Sequence, residues 1–224
     1  MHVKRISESM IASKFTRSVK FRQKLGILQP RGPVLHSRVG VRPLPHLPGQ
    51  PWRAALRMGP HQLPCAIGWG GIAPKRREGD GVTPLGTFFV ADWRRRPDAW
   101  KIFRPDSRAI RRTDGWCDDP RDFFYNRAVR LPFRARAENL WRDDSVYDLV
   151  GVLDFNRRPR ILGRGSAIFL HIAHSDYRST AGCIALARAD LQKLQMLWRR
   201  PLQIDIGAVS TPLRSPKMAE PTRT

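Results

Sequence analysis

The chain has 224 residues, enough for one sizeable core or for one domain with a tail. Hydrophobic residues make up 41% of it, which excludes a disordered polymer, and no apolar run approaches the ~20 residues of a membrane-spanning helix. With 41 Lys+Arg against 19 Asp+Glu the formal charge is +22, a balance that attracts nucleic acid, anionic lipid or an acidic cell-wall polymer.

Residues Met1 to Gly32 carry Lys4, Arg5, Lys14, Arg17, Lys20, Arg22, Lys24 and Arg31 against Glu8 alone. Ile6, Met10, Ile11 and Phe15 recur at helical spacing. The stretch therefore reads as a basic amphipathic segment able to touch a membrane surface, or as an extension upstream of the true start. The apolar core of a secretory signal is not legible in it. We read residues 1–33 as a basic tail, 34–207 as the folded domain, and 208–224, where Ser, Thr, Pro and Lys dominate, as a second tail. The remaining basic excess is arginine scattered beside Pro or Asp. That distribution favours a solvated basic face over a dedicated polyanion site.

From Val34 onward short apolar runs alternate with Gly and Pro. Residues 34–39, 63–68, 87–91, 147–155, 166–172 and 202–206 read as strands, the longest being Tyr147 to Phe155. A short helical turn fits Ala137 to Arg142. One longer helix is predicted over Ala187 to Arg199, where Leu191, Leu194, Leu197 and Trp198 recur at three- and four-residue steps and basic residues close the end. The expectation is a mainly-β sandwich or barrel with a few short helices and one C-terminal amphipathic helix packed on it. Trp93, Trp100, Trp116 and Trp141 are expected in the core, although an exposed one could stack on sugar.

Cys65, Cys117 and Cys183 are odd in number, so at least one thiol is free. None forms a Cys-x-x-Cys pair, and His171 and His174 have no cysteine pair at zinc-site spacing, so no metal and no cofactor is expected. Cys117 lies among Asp114, Asp118 and Asp119, whose charge opposes thiolate formation and favours a structural part. Cys65 falls in a strand and reads as core. The stretch from Phe169 to Leu186 differs from both. A strand delivers His171 at its end, a polar loop follows, and Thr180-Ala181-Gly182-Cys183 leads back into apolar residues. A cysteine nucleophile needs a base within hydrogen-bond reach, and this strand-loop-strand return can bring His171 to Cys183. Gly182 permits a tight turn, so amides near Cys183 can face a developing oxyanion. Two alternatives stay open: Cys183 as a small buried hydrophobe, and His174 as the base from a looser position inside the loop.

These residues resemble the signature of the L,D-transpeptidase (YkuD-type) catalytic domain: a strand-end histidine, a loop, then Ser/Thr-His-Gly-Cys and an apolar residue. His171 matches the histidine, Thr180 the Ser/Thr, Gly182 the glycine and Cys183 the nucleophile. Ala181 stands where most members carry a second histidine, as in a branch that reads Thr-Ala-Gly-Cys, and the loop is shorter than usual. Glu78 to Phe88 resembles the family's Gly- and Pro-marked turn, and Asp114 to Pro120, Tyr125-Asn126-Arg127 and Gly163 to Ser166 fit the same branch. The resemblance covers roughly Val34 to Gly207.

The resemblance implies a YkuD-like fold and a cysteine acyltransferase acting on peptidoglycan stem peptides through a thioester on Cys183, with His171 as proton acceptor and donor. It gives Gly182 and Thr180 an oxyanion or loop-support part, and His174, Arg178, Asn126, Tyr147 and Asp118 are candidates for the substrate groove. A hydrolase with the same nucleophile, an L,D-carboxypeptidase or amidase, is the alternative. A non-catalytic basic polyanion-binding protein is the third reading. An anionic cell-wall polymer is a further candidate partner, while nucleic acid is disfavoured because no zinc-finger spacing or RNA-recognition aromatic pattern occurs. The family's location implies the cell envelope or periplasm.

Overall fold

A computed structural model describes residues 36–44, 49–102 and 104–207. The basic tail, the C-terminal tail and the start of the first expected strand at Val34 and Leu35 lie outside the described residues. In chain order the strands are β1 (His36–Pro43), β2 (Arg53–Met58), β3 (His61–Ala66), β4 (Ile72–Ala73), β5 (Thr83–Pro84), β6 (Gly86–Arg95), β7 (Arg108–Ala109), β8 (Asp114–Cys117), β9 (Arg127–Arg130), β10 (Ala137–Asn139), β11 (Leu149–Leu153), β12 (Phe169–Ile172) and β13 (Ile184–Leu186). The helix α1 (Arg188–Leu197) and the strand β14 (Trp198–Ile206) follow. Among the described residues no helix is long and apolar enough to cross a membrane.

Nine strands form one sheet in the order β11-β12-β13-β3-β2-β1-β14-β6-β7, and β6 also pairs with β11, so the sheet closes on itself like a barrel. Closure is possible because β6 is long: Gly86 to Phe89 pair with β14 and Val90 to Arg95 with β11. This is the mainly-β architecture with one late helix that the sequence leads one to expect. A three-stranded sheet, β10-β8-β9, covers part of its outside, and β4 pairs with β5.

Period-two alternation sorts side chains between two cores. Val39, Val41, Leu56, Leu170, Ile172, Ile184, Leu186 and Ile204 fill the inner cluster, together with Leu191 and Leu194 of α1. Val150, Val152, Phe169 and Cys183 point the other way and meet Trp116 and Leu140 in an outer cluster. Strands buried on both faces explain why the runs around Leu149 and Phe169 are continuously apolar rather than alternating. Trp93, Trp100 and Trp116 are buried as expected, and Trp141 packs partly buried on the outer cluster.

Two local expectations are corrected. Ala137–Asn139 is a strand paired with β8 rather than a helical turn, and Asn139 Oδ1 accepts the Trp141 N–H at 2.9 Å, turning the chain just after it. The late helix stops at Leu197 rather than Arg199, and Trp198 already belongs to β14, in register with His36. Pro201 accounts for this: in a continued helix its ring would clash with the carbonyl four residues earlier, that of Leu197, and it pushes Arg200 out of the helical region. Leu170→Ala is expected to lower unfolding free energy by about 2–5 kcal/mol through loss of buried surface and a residual cavity, since Leu170 is wholly buried. Leu162→Ala at an exposed position should change it by less than about 0.5 kcal/mol, both read by denaturant titration.

Candidate active site

The site is built on the parallel pair β12–β13, in register through Leu170↔Ile184, His171↔Ala185 and Ile172↔Leu186. Leu170, Ile172, Ile184 and Leu186 face the inner core, so His171 and the turn residue Cys183 emerge together on the other face. Both line one cleft of about 420 Å³, with Tyr147, Glu138, Ala167 and Thr180 among its walls. His171 is 6% and Cys183 8% exposed, so each is largely desolvated yet reachable from the cleft.

The Thr180-Ala181-Gly182-Cys183 turn is fastened from both sides. Thr180 N–H donates to Ile67 O at 3.0 Å and Thr180 O accepts the Trp69 N–H at 3.1 Å. Thr180 Oγ1 donates to Cys183 O at 2.7 Å and accepts the Gly182 N–H at 3.1 Å, closing the turn on itself. Thr83 Oγ1 donates to Gly182 O at 2.9 Å. Gly182 has φ +136°, and a Cβ there would lie 2.8 Å from Val82 O, so no other residue fits without displacing backbone. Thr180 and Gly182 therefore hold the loop, and the Gly182 amide is engaged by Thr180 rather than turned toward a ligand.

The thiol of Cys183 donates to Ala167 O at 3.1 Å and accepts the Phe169 N–H at 3.4 Å. Burial pushes it up to about 12, helped by the Glu138 charge and opposed by the Phe169 N–H and by Lys75. His171 Nδ1 lies 2.9 Å from Ile172 O. A carbonyl can only accept, so Nδ1 carries the proton and the lone pair sits on Nε2. Burial also drives this imidazole down to about 4, against a bond to Ile172 O that favours the charged form. At neutral pH the pair is thus a neutral imidazole with its lone pair on Nε2 and an un-ionised thiol.

Tyr147, one of the groove candidates, sits edge-on to His171 and Phe169 with centroids 5.5 and 5.9 Å away, and its hydroxyl donates to Glu138 Oε1 at 2.7 Å. Burial first, and the Glu138 charge next, hold its phenol protonated. His174, Arg178 and Asp118 also line the cleft. An Arg178 guanidinium nitrogen lies 2.8 Å from His174 Nε2 and can only donate, so that lone pair is occupied. Asp118 is ion-paired with Arg136 at 3.1 Å.

Asn126 is corrected: it is buried behind the cleft and does not line it. Its Oδ1 accepts Trp116 Nε1–H at 3.0 Å and the Ala167 N–H at 3.1 Å, while Nδ2 donates to Phe155 O and Asn156 O. It thereby fixes the residue whose carbonyl holds the thiol. Cys117, fully buried in β8, lies outside the cleft. Its thiol is raised by burial and then by Asp122, Asp118 and Asp119. Cys65 is buried in β3 and pushed up to about 12 by desolvation.

Sequence reasoning missed Glu138, Glu78 and Lys75. Glu78 accepts from Ser166 Oγ at 2.7 Å and from the Tyr125 hydroxyl, and Tyr125 in turn accepts the Gly165 N–H at 2.8 Å. Lys75, 5% exposed, donates to Asp80 at 2.5 Å and to Val82 O at 3.2 Å behind the Gly182 turn. Glu78 and Asp80 lie inside a motif the resemblance already marks, and that is the signal that could have found them. Among the described residues no group of three or more His, Cys, Asp or Glu side chains is placed to hold a metal ion.

A family model described as the YkuD L,D-transpeptidase catalytic domain matches residues 56–200, and the chain belongs to that family. No curated protein and no solved structure matches it.

Titration of the His171 ring by NMR should give a midpoint near 4 in the folded protein, well below the ordinary 6.5. Because the unfolded chain takes up this proton first, the group should cost stability as pH falls from about 6.5 toward 4. A midpoint at 6.5 would contradict the buried neutral ring.

Proposed function

We propose that the chain is a cysteine acyltransferase acting on peptidoglycan stem peptides, with Cys183 as nucleophile and His171 as its base. The observation that supports this reading most is one cleft lined by both a thiol and an imidazole whose lone pair sits on Nε2. The catalytic unit in this reading spans residues 34–207 and works in the cell envelope, where the family typically acts.

As Cys183 Sγ attacks the carbonyl carbon of the stem peptide's diamino-acid residue, the S–H proton passes to His171 Nε2 and a carbon–sulfur bond forms. The imidazolium returns that proton to the departing nitrogen of the terminal D-alanine, and the carbon–nitrogen bond breaks. The thioester is then attacked by an amine of a second stem, which gives a crosslink. His171 takes the amine proton and passes it back to the sulfur as the thioester breaks. A desolvated, un-ionised pair suits this order, since charge separates only as the nucleophile attacks. With the Gly182 amide bound to Thr180, the Cys183 amide is the backbone donor we assign to the oxyanion. Ala181 lines the cleft with a methyl group that can carry no proton, so we assign the proton transfers to His171. Tyr147, Arg178, His174 and Asp118 form the walls against which the stem peptide lies.

Incubation with tetrapeptide muropeptides, read by mass spectrometry, should show D-alanine release and crosslinked dimers. Cys183→Ala should abolish both, and full turnover in that variant would rule the reading out. Product that is tripeptide alone, even with acceptor amine in excess, would assign the hydrolase with the same nucleophile.

A further inference from the structure

A second cleft of about 800 Å³ lies away from the first and shares no lining residue with it. Strand β8 stands between them, with β9 on the side of the larger cleft and β10 on the side of Cys183. Arg94, Arg108, Arg111 and Arg130 line this cleft against one acid, Asp114.

These arginines crowd one cleft. Arg94 and Arg108 are direct register partners on the parallel strands β6 and β7, where like charges repel. Asp92 spans the pair, 3.0 Å from Arg94 and 3.6 Å from Arg108. Arg94 is further fixed over the Trp116 ring at 5.4 Å, so its guanidinium is held in place rather than waving in solvent. Arg111 and Arg130 are exposed and, among the described residues, neither has an acidic side chain ion-paired to its guanidinium. Guanidinium forks of this kind fit the oxygens of phosphate or carboxylate groups.

The rest of the lining narrows the ligand. Phe124 and Phe133 meet edge-to-face at 5.9 Å and supply an apolar wall of the kind that packs against the C–H face of a sugar or polyol. Asp114 Oδ2 accepts the Arg111 N–H at 3.0 Å, and the carboxylate as a whole lines the cleft as an acceptor among the arginines, which suits hydroxyl groups and disfavours a densely charged backbone with none. We infer that this cleft binds a polyhydroxylated phosphodiester chain, that is, a sugar- or polyol-phosphate polymer. The inference goes beyond the thiol chemistry and does not depend on it.

Calorimetric titration of the full chain with a poly(glycerol phosphate) oligomer tests this, with neutral dextran and a single-stranded DNA oligonucleotide of equal charge as comparisons. Binding is expected for the phosphate oligomer, weakening as salt rises, and absent for dextran. Arg111→Gln with Arg130→Gln should weaken it by about tenfold or more, since hydrogen bonds between charged partners are lost. Arg57→Gln with Arg164→Gln removes the same charge from exposed positions outside both clefts and should change it less than about twofold. Equal losses in the two double variants would mean that diffuse charge binds the polymer and would overturn the site. So would tighter, cleft-dependent binding of the oligonucleotide, or no binding of the phosphate oligomer at all. Because every reading is of binding, the Cys183→Ala protein should give the same affinities, and failure here leaves the acyltransfer reading to its own assay.

Discussion

The site depends on the parallel pairing of β12 with β13. Alternation along two adjacent parallel strands places every second residue on one face, and the register Leu170↔Ile184 brings the strand-end His171 and the turn residue Cys183 out on the same side. Slip that register by one residue and either the imidazole or the sulfur would be turned into the inner core. The strands are locked against such a slip by Leu170, Ile172, Ile184 and Leu186, all buried inside, and by Phe169 packed edge-on against Trp116 and Tyr147 outside. Fold stability and the placement of His171 and Cys183 therefore rest on the same contacts.

Desolvation then sets the chemistry. Burial lowers the imidazole and raises the thiol, so the fold favours an un-ionised pair over a resting ion pair. The Ile172 carbonyl selects the tautomer with its lone pair on Nε2, and Ala167 O and Phe169 N–H hold the sulfur. Behind the turn the buried Lys75 favours negative charge on sulfur while Glu138 opposes it, and the same Glu138 accepts from the Tyr147 hydroxyl.

Much of this was legible in the chain itself. The strand ending at His171, the Thr180-to-Cys183 turn, the late helix and the mainly-β character follow from local apolar runs and turn residues, which is information carried within a few neighbours. What was not legible is what depends on distant partners. Asn126 reads as a polar loop residue, and only the approach of Trp116, Phe155 and Ala167 turns it into a buried bracket. Glu138 sits in a stretch with helical spacing, and pairing with β8 makes it a strand that faces the cleft. The arginine excess likewise looks scattered along the chain, and the pairing of β6 with β7 is what sets Arg94 beside Arg108.

The central claim is that the Cys183 proton is taken by His171 Nε2. Acylation by a carbapenem, followed as a mass increase on the peptide that contains Cys183, measures that step without an acceptor. The account expects single labelling in the wild-type chain at neutral pH. In His171→Gln the rate should be slower by about 10²–10⁴ and should climb steadily with pH as a growing fraction of the thiol ionises directly. Equal rates in the two proteins across the pH range would show that this imidazole takes no proton from the sulfur.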